Sequence, residues 1–125
     1  MRLLLDTHVF LWAAAGSAAL KAPARRLIEA AEQVYVSAAS IWEIAIKARL
    51  GKIQADPHAL AQAIEASGFV ELPVSAAHAA GVAQLPLHHH DPFDRLLVAQ
   101  ALAEPLKLLT ADELLTMYSD VVLLI

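Results

Sequence analysis

Two short apolar runs stop at a carboxylate: Arg2-Leu3-Leu4-Leu5-Asp6-Thr7 and Lys107-Leu108-Leu109-Thr110-Ala111-Asp112. Short apolar runs bounded by polar residues read as buried strands. In open parallel sheets, ligands collect outside the carboxyl ends of the strands. Asp91-Pro92 reads as an N-cap followed by proline at the first helical position, which puts Asp94 one turn inside the same helix. Glu43 lies on the clearest helical stretch, and Val36-Ser37-Ala38 leaves almost no loop between its helix and the preceding strand. Strand C-termini and helix N-termini share one edge of a parallel sheet, so Asp6, Glu43, Asp91, Asp94 and Asp112 are expected there together. Carboxylates in such proximity repel one another, and a hard divalent cation resolves the repulsion. Oxygen ligands without cysteine suit Mg²⁺ or Mn²⁺. Such an ion activates water and offsets charge on a phosphoryl oxygen. The expected chemistry is metal-dependent hydrolysis of a phosphate ester.

Each acid alone also has an ordinary structural role. Glu43 and Lys47 are spaced as a surface helix pair contributing a few tenths of a kcal/mol. Asp91 at an N-cap contributes about 1 kcal/mol without any catalysis. Asp94 suits the positive end of a helix dipole, although it shares a stripe with the apolar Val98 and Ala101. Asp6 and Asp112 can cap the helices that follow them. A non-catalytic binding module, with capping acids and an apolar face for a partner, is therefore the alternative to an enzyme. An aspartyl-phosphate phosphatase ranks below both, because it wants a second acid two residues after the nucleophile, where His8 stands. Thr7, Ser40 and Thr110 are placed either to hydrogen-bond the acids or to cap helices, with Thr7 as the first helix's candidate cap. Lys47, Arg49 and Lys52 complement a helix C-terminus. His88-His89-His90 is internal, and three adjacent imidazoles in a tight loop cannot easily share one ion.

The elements that must position these groups alternate. Helices are expected at residues 8–15, ending at Gly16, and at 23–32, 37–50, 56–68, 75–81 and 91–103, with a helical turn or two over 112–118. Strands are expected at 2–5, 34–36, 69–72, 106–109 and 121–125. Such alternation predicts an α/β fold: one domain over residues 1–125, with a small parallel sheet of four to five strands flanked by helices on both faces.

The totals agree. A chain of 125 residues is one domain by length, and 58% hydrophobic residues supply a full core with apolar surface left over. The stretch Phe10-Leu11-Trp12 is the candidate for a partner face. Thirteen acids against nine bases exclude a broad basic nucleic-acid surface, while acids gathered in a metal site leave a nucleic-acid enzyme open. The chain has no cysteine, hence no disulfide or thiolate metal site. No apolar run reaches the roughly 18–20 residues of a membrane span, and no secretory leader pattern is visible, so a cytoplasmic protein with no membrane partner is expected.

Four segments together resemble the PIN-domain ribonucleases, and more narrowly the VapC toxins of type II toxin–antitoxin pairs. They are Leu4-Leu5-Asp6-Thr7-His8, then Ser37 through Lys47 with Trp42-Glu43-Ile44, then His90-Asp91-Pro92-Phe93-Asp94-Arg95 through Ala101, and Leu109-Thr110-Ala111-Asp112. The resemblance covers nearly the whole chain. It implies a Mg²⁺- or Mn²⁺-dependent endoribonuclease in which water attacks phosphorus and the 3′-oxygen leaves. Asp6, Glu43 and Asp94 match the family's core acids, Asp112 its more variable fourth, and Asp91 an assisting position. The resemblance further implies an RNA substrate (tRNA, rRNA or mRNA) whose backbone Lys47, Arg49, Lys52 and Arg95 are candidates to meet, a VapB-type antitoxin seated near Phe10, Leu11 and Trp12, and a homodimer. It also suggests an antitoxin arginine that silences the acidic mouth through a charge-assisted pair.

Overall fold

The structure is a computed structural model that describes residues 1–88 and 90–125. Five strands, β1 (Arg2–Leu5), β2 (Gln33–Ser37), β3 (Val70–Leu72), β4 (Lys107–Thr110) and β5 (Val122–Leu124), form one sheet in the order β3-β2-β1-β4-β5. Every pairing is parallel. Among the described residues six α-helices accompany them: α1 (Thr7–Ala15), α2 (Ala22–Ala30), α3 (Ala38–Arg49), α4 (Pro57–Ala66), α5 (Ala76–Gly81) and α6 (Pro92–Ala103). Short 3₁₀ turns occupy Val82–Gln84 and Glu113–Met117.

The central strand carries Leu3, Leu4 and Leu5, all fully buried. Side chains alternate across a strand, so these leucines feed two separate cores. Leu3 and Leu5 pack with Val9, Phe10, Val34, Val36, Ile44 and Leu109 under α1 to α4. Leu4 packs with Leu97, Val98, Leu108, Leu115 and Val122 under α6. Burial on both faces explains why β1 and β4 read as continuous apolar runs. The expected α/β architecture with helices on both faces is the observed one, with five strands.

Differences lie at the helix ends. Asp6, not Thr7, is the N-cap of α1: its Oδ1 accepts from the Val9 amide at 2.8 Å, and Thr7 is already helical. The next helix begins one residue earlier than expected and stops at Ala30, where the chain must turn extended to enter β2. Gly16 closes α1 in the left-handed conformation at φ 62°, and its amide bonds to the carbonyl of Ala13. Asp56, Asp91 and Asp112 cap their segments as the sequence suggests. Among the described residues, no helix is long and apolar enough to cross a membrane.

Candidate functional site

The strand order reverses direction between β1 and β4: the chain runs outward from β1 through β2 to β3, then returns to the other side of β1 for β4 and β5. A crevice at such a switch point, outside the carboxyl ends of the strands, is where ligands bind in this class of sheet. Asp6 follows β1 and Asp112 follows β4, so the topology places both at that crevice.

Asp6 is nearly enclosed, 5% exposed. The Thr110 hydroxyl donates a short hydrogen bond to its Oδ2. Thr110 Oγ1 in turn accepts from the Asp112 amide at 3.0 Å, which links the ends of β1 and β4 through one side chain. Burial pushes the Asp6 carboxyl above its ordinary value, while the Thr110 hydroxyl, the Val9 amide and the nearby His8 oppose the rise. The charge of Glu43 adds to it. Asp6 and Glu43, 37 positions apart in sequence, therefore act on one another electrostatically.

Glu43 is 3% exposed. Ser37 caps α3, accepting from the Ala39 amide at 3.0 Å, and this fixes where the helix starts and which face carries Glu43. Thr7 Oγ1 lies 2.7 Å from Glu43 Oε1 and 2.9 Å from Ser40 Oγ. A hydroxyl has one proton and a carboxylate only accepts. Thr7 therefore donates to Glu43, and Ser40 donates to Thr7. Glu43 Oε2 receives Lys47 Nζ at 2.6 Å. The surface pair expected from spacing is thus half-buried. Its acid is inside, and only the lysine, 33% exposed, reaches solvent. Glu43 holds the Lys47 ammonium above its usual pKa against the cost of desolvation, and the charges of Glu43, Asp91 and Asp94 support it.

Asp91 and Asp94 belong to the first turn of α6, where Asp91 Oδ1 accepts from the amides of Phe93 at 2.8 Å and Asp94 at 3.1 Å. The α6 N-terminus lies beside α3, where the charges of both acids favour the Lys47 ammonium. Trp42 and Phe93, each the residue before an acid, also meet there edge-to-face with centroids 5.2 Å apart.

The donor set is chemically suited to a hard cation, since every candidate ligand is a carboxylate or hydroxyl oxygen. Lys47 already places one positive charge among these acids. Yet among the described residues no three His, Asp or Glu side chains are grouped so as to hold an ion. Unshielded carboxylates repel, and here Asp6 and Glu43 are instead engaged by Thr110, Thr7 and Lys47.

Two expectations change. Phe10 is fully buried in the core beneath α1, so it presents nothing to a partner, whereas Leu11 and Trp12 remain partly accessible. Arg95 directs its guanidinium to the carbonyls of Pro86, Val82 and Leu85 and to the Tyr118 hydroxyl. It clamps the loop before α6 instead of facing phosphate. Of the histidine run, His88 meets the Tyr118 ring edge-on at 5.2 Å, and His89 lies outside the described residues. Sequence reasoning missed the influence of His8 on Asp6, for which the available signal was its place in the first turn of α1. It also missed buried His78, which completes a capping box with Ser75 and meets Glu104 at the far end of α6.

The PIN domain family model matches residues 3–119. The chain belongs to the PIN domain family. No curated protein matches it in sequence. Among solved structures, this PIN domain is similar to a toxin–antitoxin complex from Klebsiella pneumoniae, at TM-score 0.68 and 20% identity over 97% of this chain and 95% of the other. It is similar to VapBC2 from Rickettsia felis bound to a promoter DNA fragment, at TM-score 0.69 and 15% identity over 100% and 98% of the two chains. FitAcB from Neisseria gonorrhoeae aligns at TM-score 0.63 and 20% identity over 98% and 96%. At these identities the likeness is one of fold, shared by this PIN domain over its full length.

Proposed function

We propose that this PIN domain is a Mg²⁺- or Mn²⁺-dependent endoribonuclease, the toxin of a type II toxin–antitoxin pair held inactive by a VapB-type antitoxin. One observation carries the reading: two buried carboxylates, Asp6 and Glu43, sit at the sheet's switch end, each oriented by a threonine hydroxyl. Isolated buried carboxylates are costly, and capping does not account for Glu43, which lies in the middle of its helix.

Asp6, Glu43, Asp94 and Asp112 would hold the ion, with Asp91 assisting from the α6 cap. A bound Mg²⁺ or Mn²⁺ supplies activated water and offsets charge on the phosphoryl oxygens. The protein's own share is positional. Thr110 and Thr7 fix one oxygen each of Asp6 and Glu43, and the enclosed strand ends keep those carboxylates from turning toward bulk water. Lys47, partly exposed beside the acids, would meet the RNA backbone once released from Glu43.

The groove beside Trp12 supports the antitoxin assignment. About 410 Å³ in volume, it is bounded by Trp12, Ala24, Leu27, Ala111, Leu124 and Ile125, and it suits the apolar face of a helical segment. Ala111 carries it to the residue before Asp112, so a segment lying in it would end beside the acids. Similarity in fold to a toxin–antitoxin complex and to VapBC2 supports that assignment. An exposed ridge of Trp42, Ile46 and Leu50, spaced four residues apart on and just beyond α3, favours a homodimer face.

The decisive experiment incubates the purified chain with total RNA and Mn²⁺, beside Asp6→Asn and Asp94→Asn, and maps the new 5′ ends. Discrete Mn²⁺-dependent cuts in the parent and none in folded variants are expected. Equal cutting by the variants, or no cutting of any RNA, overturns the reading. The second outcome would favour a non-catalytic binding module.

A further inference from the structure

Both oxygens of Glu43 are already committed, but to partners of different kinds. Oε1 receives the Thr7 hydroxyl, which is buried and backed by Ser40. Oε2 receives Lys47 Nζ at 2.6 Å, at the end of a long side chain that is one-third exposed. A divalent ion approaching Glu43 cannot dislodge Thr7 without opening the α1–α3 contact. It can dislodge Lys47 by a rotation of the lysine side chain into solvent. The charges that hold Lys47 in place come from Glu43 and also from Asp91 and Asp94 on the other helix, the acids expected to bind the ion. One ammonium thus answers to carboxylates from both α3 and α6.

We propose that Lys47 is the resident counter-cation of this site, occupying Glu43 until a divalent ion displaces it. The proposal rests on the reading that these acids bind such an ion. Exchange of one cation for another keeps a positive charge against the buried carboxylate at every stage. Displacement also frees an ammonium at the rim of the site when the ion arrives. Arg95, tied to the loop carbonyls, cannot do this.

The test measures Mn²⁺ affinity of the full chain by the paramagnetic resonance of free Mn²⁺, without RNA. Lys47→Met should bind Mn²⁺ about tenfold more tightly than the parent, because a competing charge is gone. Lys47→Arg keeps the cation and should stay near the parent. Lys52→Met removes a charge beyond the same helix, where salt screens it, and should leave affinity within about twofold. In parallel, reductive methylation of Lys47 in the parent, read by mass spectrometry, should be slow without Mn²⁺ and faster with it. This second measurement stands by itself if Lys47→Met fails to fold. Parent-like Mn²⁺ affinity in folded Lys47→Met, or in its absence Lys47 reactivity that Mn²⁺ leaves unchanged, overturns the exchange while leaving the metal site intact. Absence of Mn²⁺ binding in the parent and in Lys47→Met overturns the metal reading and the exchange together.

Discussion

Thr7 Oγ1 stands 2.7 Å from Glu43 Oε1 and thereby ties the start of α1 to the middle of α3. The same residue follows Asp6, whose carboxylate is held by Thr110 from β4. Two adjacent positions of the chain therefore reach into two different parts of the site. This pairing of hydroxyls with buried acids engages one oxygen of each, and it gives each contact a measurable consequence.

Thr7→Val removes the donor to Glu43 and strands the Ser40 hydroxyl. A buried group left without its partner costs about 1–3 kcal/mol, so urea unfolding should show a loss of that size. Thr7→Ser keeps the hydroxyl and should lose less than about 1 kcal/mol, the transfer value of one buried methyl group. A Thr7→Val loss no larger than that of Thr7→Ser would show that the hydrogen bond contributes no more than the methyl group.

Asp6 gives a pH signature. Its folded carboxyl titrates above the ordinary value of 3.8, chiefly because burial penalises the charge. Between the unfolded and folded values the native state binds more protons than the unfolded state. Stability contributed by this group is therefore complete below the unfolded value and declines as pH rises through the folded one. Asp6→Asn abolishes that decline, so the variant should melt higher than the parent at pH 7 in the absence of divalent ions, and the gain should shrink toward pH 3.5. Circular dichroism melts across this range decide it. A variant less stable at pH 7 than at low pH, relative to the parent, contradicts the assignment.

Phe10→Ala and Trp12→Ala separate core from surface on the same helix. Phe10 is enclosed by both the sheet and the helices above it, and its truncation should cost about 3–5 kcal/mol. Trp12 lines the open groove, and its loss should cost about 1 kcal/mol or less while weakening capture of a cognate antitoxin. Chemical denaturation combined with a pull-down against the co-expressed antitoxin distinguishes the two.

Arg95→Lys should behave as a loop defect. The guanidinium makes hydrogen bonds to three carbonyls and a phenol, a pattern one ammonium cannot reproduce. Amide exchange over residues 82–87 should accelerate by about tenfold or more, the equivalent of about 1.4 kcal/mol of local opening. Under the proposed function, the salt dependence of RNA binding should be unchanged, since no phosphate contact is removed. A shallower salt slope would return Arg95 to the RNA surface.

Much of this protein was legible in its one-dimensional pattern. Leu3-Leu4-Leu5 announces a strand buried on both faces, and Asp91-Pro92, Asp56-Pro57 and Ser37 mark helix starts, because caps and proline act within a turn of the backbone. The family followed from four acid-bearing segments in order, and the sheet class from the alternation of elements. Local chemistry determines such features, and local chemistry is what a sequence displays.

Tertiary structure alone decided how the acids are engaged. That Thr110 serves Asp6 across 104 residues, that Thr7 serves Glu43, and that Lys47 answers to Asp91 and Asp94 depend on the strand order β2-β1-β4 and on α3 meeting α6. Hydrogen bonds and charges fall off within a few ångströms, so their partners are set by packing. Spacing could suggest that Phe10 faced a partner and that Arg95 faced phosphate. Only the packed chain shows one under a helix and the other clamping a loop.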